Sequence, residues 1–157
     1  MKKIEIILEE DVFTTDYPHI VDTTFYIHAQ GKAFPHELWT DFTYPVLDIW
    51  ANTLLDNKDR GEVAYSLFFM DGPYRLDVVK GKDMNLLIQC VSSRKEEKTE
   101  LTIECDYSDF LMIVYQAIRK FGKVMFNNNM HQGKFETVYR QVISNGKKVK
   151  AVIDSFK

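Results

Sequence analysis

Hydrophobic and polar positions alternate with a period of two over several short runs of this chain, and switch to three- and four-residue spacing in others. Residues 62–123 carry the clearest pattern: four strand-like runs joined by polar turns, then one amphipathic helix. Val63, Tyr65, Leu67 and Phe69 alternate with Ala64, Ser66, Phe68 and Met70, a run apolar enough for a strand covered on both faces. Asp71-Gly72-Pro73 turns the chain, after which Tyr74, Leu76 and Val78 alternate with Arg75 and Asp77, as in a half-exposed antiparallel strand. Gly81-Lys82-Asp83 turns it again. Met84, Leu86, Ile88 and Cys90 form the next inward set, and a charged loop over 92–98 leads into Leu101, Ile103 and Cys105. Connections this short predict a meander of sequential antiparallel strands. Asp106 or Ser108 caps the following helix, whose Phe110, Ile113, Val114, Ala117, Ile118 and Phe121 keep one apolar stripe. Arg119 and Lys120 suit its negative end, and Gly122 stops it.

On either side the pattern is less regular. Residues 4–8 read as a short strand closed by Glu9-Glu10-Asp11, and 23–30 as a second, with Phe25, Ile27 and Ala29 opposite Thr24, Tyr26 and His28. Residues 34–42 have no period and read as an ordered loop or a single helical turn. Thr43 then caps a helix with Pro45 in its first turn and Leu47, Trp50, Ala51, Leu54 and Leu55 on one face. Beyond Gly122, Val124-Met125-Phe126 suggests a short strand and 135–143 a helix. Asn145-Gly146 is a turn signal, so a terminal hairpin of 139–144 with 148–154 stands as the alternative to the preferred helix. The sum is one α+β domain over residues 1–157: a largely antiparallel five- to six-stranded sheet with the Pro45 and Ser108 helices on one face.

Composition agrees with a packed domain. Of 157 residues, 45% are hydrophobic and 27% charged, and 11 Phe, 8 Tyr and 2 Trp give ample aromatic surface for one core. No apolar run approaches the roughly 20 residues of a membrane span, and the alternating N-terminus does not open as a signal core, so a cytoplasmic protein is expected. Cys90 and Cys105 then read as buried thiols. The net charge of −3 hides an asymmetry. Residues 1–59 hold four Lys against eleven Asp or Glu, residues 60–133 balance at ten of each sign, and residues 134–157 hold six Lys or Arg against two acids. The first third is therefore expected to attract a basic partner.

The chemistry-bearing residues exclude more than they assign. His19, His28, His36 and His131 have no metal-binding spacing, so no metal or other cofactor is expected. There is no G-x-S-x-G or phosphate-binding glycine loop. Cys105, at a strand-to-helix junction, has the one setting in which a lowered pKa would make a nucleophile; a core role is favoured, and the chain is read as no enzyme. Lys147, Lys148 and Lys150 near Tyr139 and Phe156 form a small basic and aromatic cluster, too slight against an acidic pI of about 5.8 to predict nucleic-acid binding.

Two stretches place large aromatics beside an acid: Trp39-Thr40-Asp41-Phe42, and Phe68 through Tyr74 with Asp71-Gly72-Pro73 at its centre. Folding accounts for both, Asp71-Gly72 as a turn and Trp39 as a plug for the core; the functional alternative is a recognition surface of aromatic anchors ringed by carboxylates. The W-x-D-F run, the Pro-bounded helix with Trp50 and the F-M-D-G-P-Y run, together spanning residues 34–74, resemble small proteins of Gram-positive bacteria similar to immunity proteins of polymorphic toxin systems. That resemblance implies a non-catalytic single domain that binds and neutralises one toxin. The candidate interaction surface is Glu9, Glu10, Asp11, Asp16, Asp22, Glu37, Trp39, Asp41, Asp71 and Tyr74, facing a basic toxin domain. The alternative is a small-molecule pocket near Trp39 with Tyr26, His28 or Asp71 as polar contacts, and a homodimer through an exposed sheet edge is compatible with either.

Overall fold

The computed structural model describes residues 4–14, 17 and 21–157. It is α+β, and its strands form two antiparallel sheets instead of one. The first sheet, A, holds β1 (Ile4–Thr14), β2 (Val21–Ala29), β3 (Lys32–Phe34) and β4 (Thr40–Phe42). β2 is central: β1 pairs along one edge, while β3 and β4 share the other, opposite its two ends. The stretch expected to be a loop or helical turn, 34–42, thus takes in the last residue of β3 and all of β4, strands of three residues that are too short to show a period. After α1 (Thr43–Asp56), the second sheet, B, follows the predicted meander: β5 (Val63–Phe68), β6 (Tyr74–Lys80), β7 (Asn85–Ser92) and β8 (Lys98–Asp106), in that order. The expectation of a single sheet fails because the early strands satisfy their backbone groups on one another before the chain enters α1.

α2 (Tyr107–Asn127) and α3 (Glu136–Asp154) complete the fold. α1 touches β2 and β5, and α2 touches β1 and β8, so both helices bridge the buried faces of the two sheets instead of lying on one face of one sheet. One core results, with Trp50, Phe25, Phe34, Phe110 and Phe121 fully buried. Trp50 packs edge-on to Phe25 and Phe69 and donates from Nε1 to the Phe68 carbonyl at 2.8 Å. α3 packs outside, against α2 and α1.

Local expectations were modified wherever tertiary contacts outweighed them. Between Leu8 and Val12, Glu9, Glu10 and Asp11 lie opposite Thr24 alone, so the acidic run forms a bulge and β1 continues beyond it. β5 is an edge strand with one buried face: Leu67 is buried, whereas Phe68 is exposed. α2 passes through Gly122 and takes in the segment expected as a short strand. α3 takes in Asn145-Gly146, because Val138, Val142, Asn145, Val149 and Ile153 bury at helical spacing and Asn145 donates to Asp48 Oδ1 of α1 at 2.6 Å. No described helix is long and apolar enough to cross a membrane.

Candidate functional site

The two stretches flagged in sequence meet at one carboxylate. Asp41, on β4, is 2% exposed. Its Oδ1 accepts the backbone N–H groups of Phe42 (2.7 Å), Met70 (3.1 Å) and Asp71 (3.2 Å), and its Oδ2 accepts Trp39 Nε1–H at 3.0 Å. Burial raises its pKa above the ordinary carboxylate value, against the opposing pull of those donors. Beneath them, Trp39 and Tyr74 stack edge-on with centroids 5.1 Å apart. Gly72 has φ +75°, and a Cβ there would stand 2.9 Å from the Tyr74 ring and 3.0 Å from Trp39. The W-x-D-F and F-M-D-G-P-Y runs are therefore two halves of one clamp that joins sheet A to the turn before β6. Asp41 and Tyr74 lie inside the fold, which removes them as outward anchors, and Trp39 is half-buried against the core.

Asp22 and the acidic bulge of β1 lie along the outer face of sheet A, and Asp71 and Glu37 come within electrostatic reach of Asp22 and Tyr26 on that face. Alternation along β2 buries Thr23, Phe25 and Ile27 and leaves Asp22 and Tyr26 half-exposed, while Thr24, between them on the outer face and opposite the bulge, is buried. The bulge sets Glu9, Glu10 and Asp11 out in solvent beside this face, and Thr24 Oγ1 donates to Asp11 Oδ2 at 3.4 Å. Tyr26 is held above its ordinary pKa by burial and then by Glu37 and Glu9, which sets both acids within electrostatic reach of its hydroxyl. Asp22, with one oxygen buried and unpartnered, is pushed up to about 6 by burial and then by Asp41 and Asp71. None of Glu9, Glu10, Asp11, Asp22, Glu37 and Asp71 has a cationic partner among the described residues. Asp16 lies outside the described residues.

Sequence reasoning missed the apolar part of this face. Phe13 pairs with Asp22 across the strands and is 51% exposed, and Leu38, next to Glu37, is 70% exposed at φ +60°. A branched side chain held in the left-handed region is strained, and such positions cluster where function requires them. The sequence signal for Phe13 was its place after an acidic run mistaken for the end of a strand; for Leu38 there was none.

The other chemistry considered from sequence is accounted for by burial. The thiols of Cys90 and Cys105 are free and pushed up to about 12, by burial first and then by Glu100 for Cys90 and by Asp109 and Asp106 for Cys105. At Cys105, desolvation thus outweighs the helix N-terminus that would have lowered its pKa. Among the described residues no three His, Cys, Asp or Glu converge as a metal site. A cavity of about 830 Å³ lies between α2 and α3, and none of Trp39, Tyr26, His28 or Asp71 lines it. Compared with known proteins, the chain matches no family model, no curated protein and no solved structure.

Proposed function

We propose that the chain is a protein-binding module that docks a basic partner on the outer face of sheet A. The observation that carries this reading is the combination, on the outer face of the paired strands β1 and β2, of exposed Phe13, half-buried Asp22 and Tyr26, and the three-acid bulge, with no cation among the described residues paired to the acids. Apolar anchors within a ring of like charge form the pattern of a hot spot with a steering rim. Neutralising a toxin by covering its active site or substrate path is the form such binding takes in the family that the W-x-D-F and F-M-D-G-P-Y runs resemble.

The test places a photo-crosslinking amino acid at Leu38 and captures the partner in cells, in the wild-type background and with Glu9→Lys, Glu10→Lys and Asp11→Lys. A basic protein should be captured by the first and lost from the second. With that partner purified, the charge reversals should slow association about 10- to 100-fold at low salt and flatten its salt dependence. Capture of the same protein at equal yield by both would sink the proposal.

A further inference from the structure

We infer that the groove between α2 and α3 is a second docking site, for an acidic amphipathic helix of a partner protein. It encloses about 830 Å³ and its walls are largely apolar. Phe126, 52% exposed, and Ile143, 37% exposed, project into it beside half-buried Tyr115 and Tyr139. The two helices run antiparallel, with Gly122 facing Ile143 and Gly146 facing Ile118 across the seam. A Cβ on either glycine would meet its nearest neighbour at 3.5 Å, an ordinary contact, so packing between α2 and α3 does not demand them. Glycine inside a helix is a destabilising choice. What these two provide is depth along the floor of the groove.

Charge decides the occupant. Arg119 and Lys123 stand on the α2 bank, Lys147 and Lys150 on the α3 bank. Among the described residues Arg119, Lys123 and Lys147 have no ion pair, and Asp154, the one acid lining the groove, is already held by Lys150 at 2.5 Å and Lys157 at 3.4 Å. The helix register spreads these cations over about 12 Å of groove length, on both sides of the apolar floor. A single-headed anion such as a fatty acid would need its cations gathered at one end. A helix with an apolar stripe at i, i+3, i+4 and i+7 and carboxylates on both flanks satisfies both banks at once.

This surface is separate from the sheet A face, so the two readings fail independently. The probe is a fluorescein-labelled synthetic helix of about 16 residues, with leucines on the stripe and glutamates on both flanks. Fluorescence anisotropy should give a micromolar Kd, at least tenfold weaker for the Arg119→Glu/Lys147→Glu double variant and unchanged for the bulge charge reversals. Gly122→Ala and Gly146→Ala should weaken binding several-fold while Tm holds or rises, an outcome that loss of folding cannot produce. The inference is overturned by equal affinity for the same peptide with lysines in place of glutamates, or by no binding at millimolar concentration. It is also overturned by binding to phosphatidylglycerol vesicles without binding to the peptide, or by a homodimer, abolished by Ile143→Glu, that occupies the groove.

Discussion

Replacing Asp41 with alanine tests whether one buried carboxylate holds the two sequence motifs together. The change deletes the acceptor for the N–H groups of Phe42, Met70 and Asp71 and for Trp39 Nε1. A hydrogen bond to a charged group contributes about 1.5–3 kcal/mol, and four would overstate the loss, because Met70 and Asp71 are exposed and water replaces the acceptor there. Phe42 and Trp39 are less accessible, and removing a buried charge returns part of the cost. The net is a destabilisation of about 3 kcal/mol at pH 7.5, read as a lower urea midpoint at unchanged slope. Hydrogen exchange at the Met70 and Asp71 amides should accelerate more than exchange in β7, since the turn loses its tether before the sheet does. Carboxyl NMR should show the Asp22 pKa falling from about 6, because Asp41 is its leading electrostatic neighbour after burial itself. A loss under about 1 kcal/mol with unchanged exchange at Asp71 would refute the clamp.

Asp22→Asn should reshape the pH dependence. The folded-state pKa is raised from 3.8 to about 6, so the contribution of Asp22 to stability is fully present below about pH 4 and lost as pH rises through 6. The variant should flatten that decline and be more stable than wild type at pH 7.5, by about 1 kcal/mol once partial solvent exposure is allowed for; equal pH profiles would count against it. Gly72→Ala should cost about 2–3 kcal/mol in chemical denaturation, combining a positive φ with a Cβ set against the Tyr74 and Trp39 rings, and a neutral outcome would mean that the turn relaxes freely.

What was legible in the sequence was local and periodic. The meander of sheet B followed from alternation and from polar turns too short to allow other pairings, and both main helices followed from their apolar stripes. Asp41 beside Trp39 is legible in the sequence, whereas its hydrogen bonds from the Met70 and Asp71 amides, about thirty residues away, join two stretches that no local pattern connects. The acidic first third was legible as composition, but its display on β2 depends on a bulge that alternation cannot register.

The sequence by itself determined the α+β class, the antiparallel pairing of residues 63–106, the start of α2, the start of α1 to within a residue, with Phe42 and not Thr43 at its cap position, and the opposite charge of the two ends of the chain, because each depends on residues close in sequence. Tertiary structure alone decided the split into two sheets, since strands of three residues are stabilised by their partners and not by their own pattern. It also decided that Asn145-Gly146 is helical, because burying Asn145 against Asp48 and four aliphatic side chains on the helix face outweighs a two-residue turn preference. The same packing set two glycines face to face with residues of the opposite helix and opened the groove between them, a feature made of positions more than twenty residues apart that no local pattern encodes.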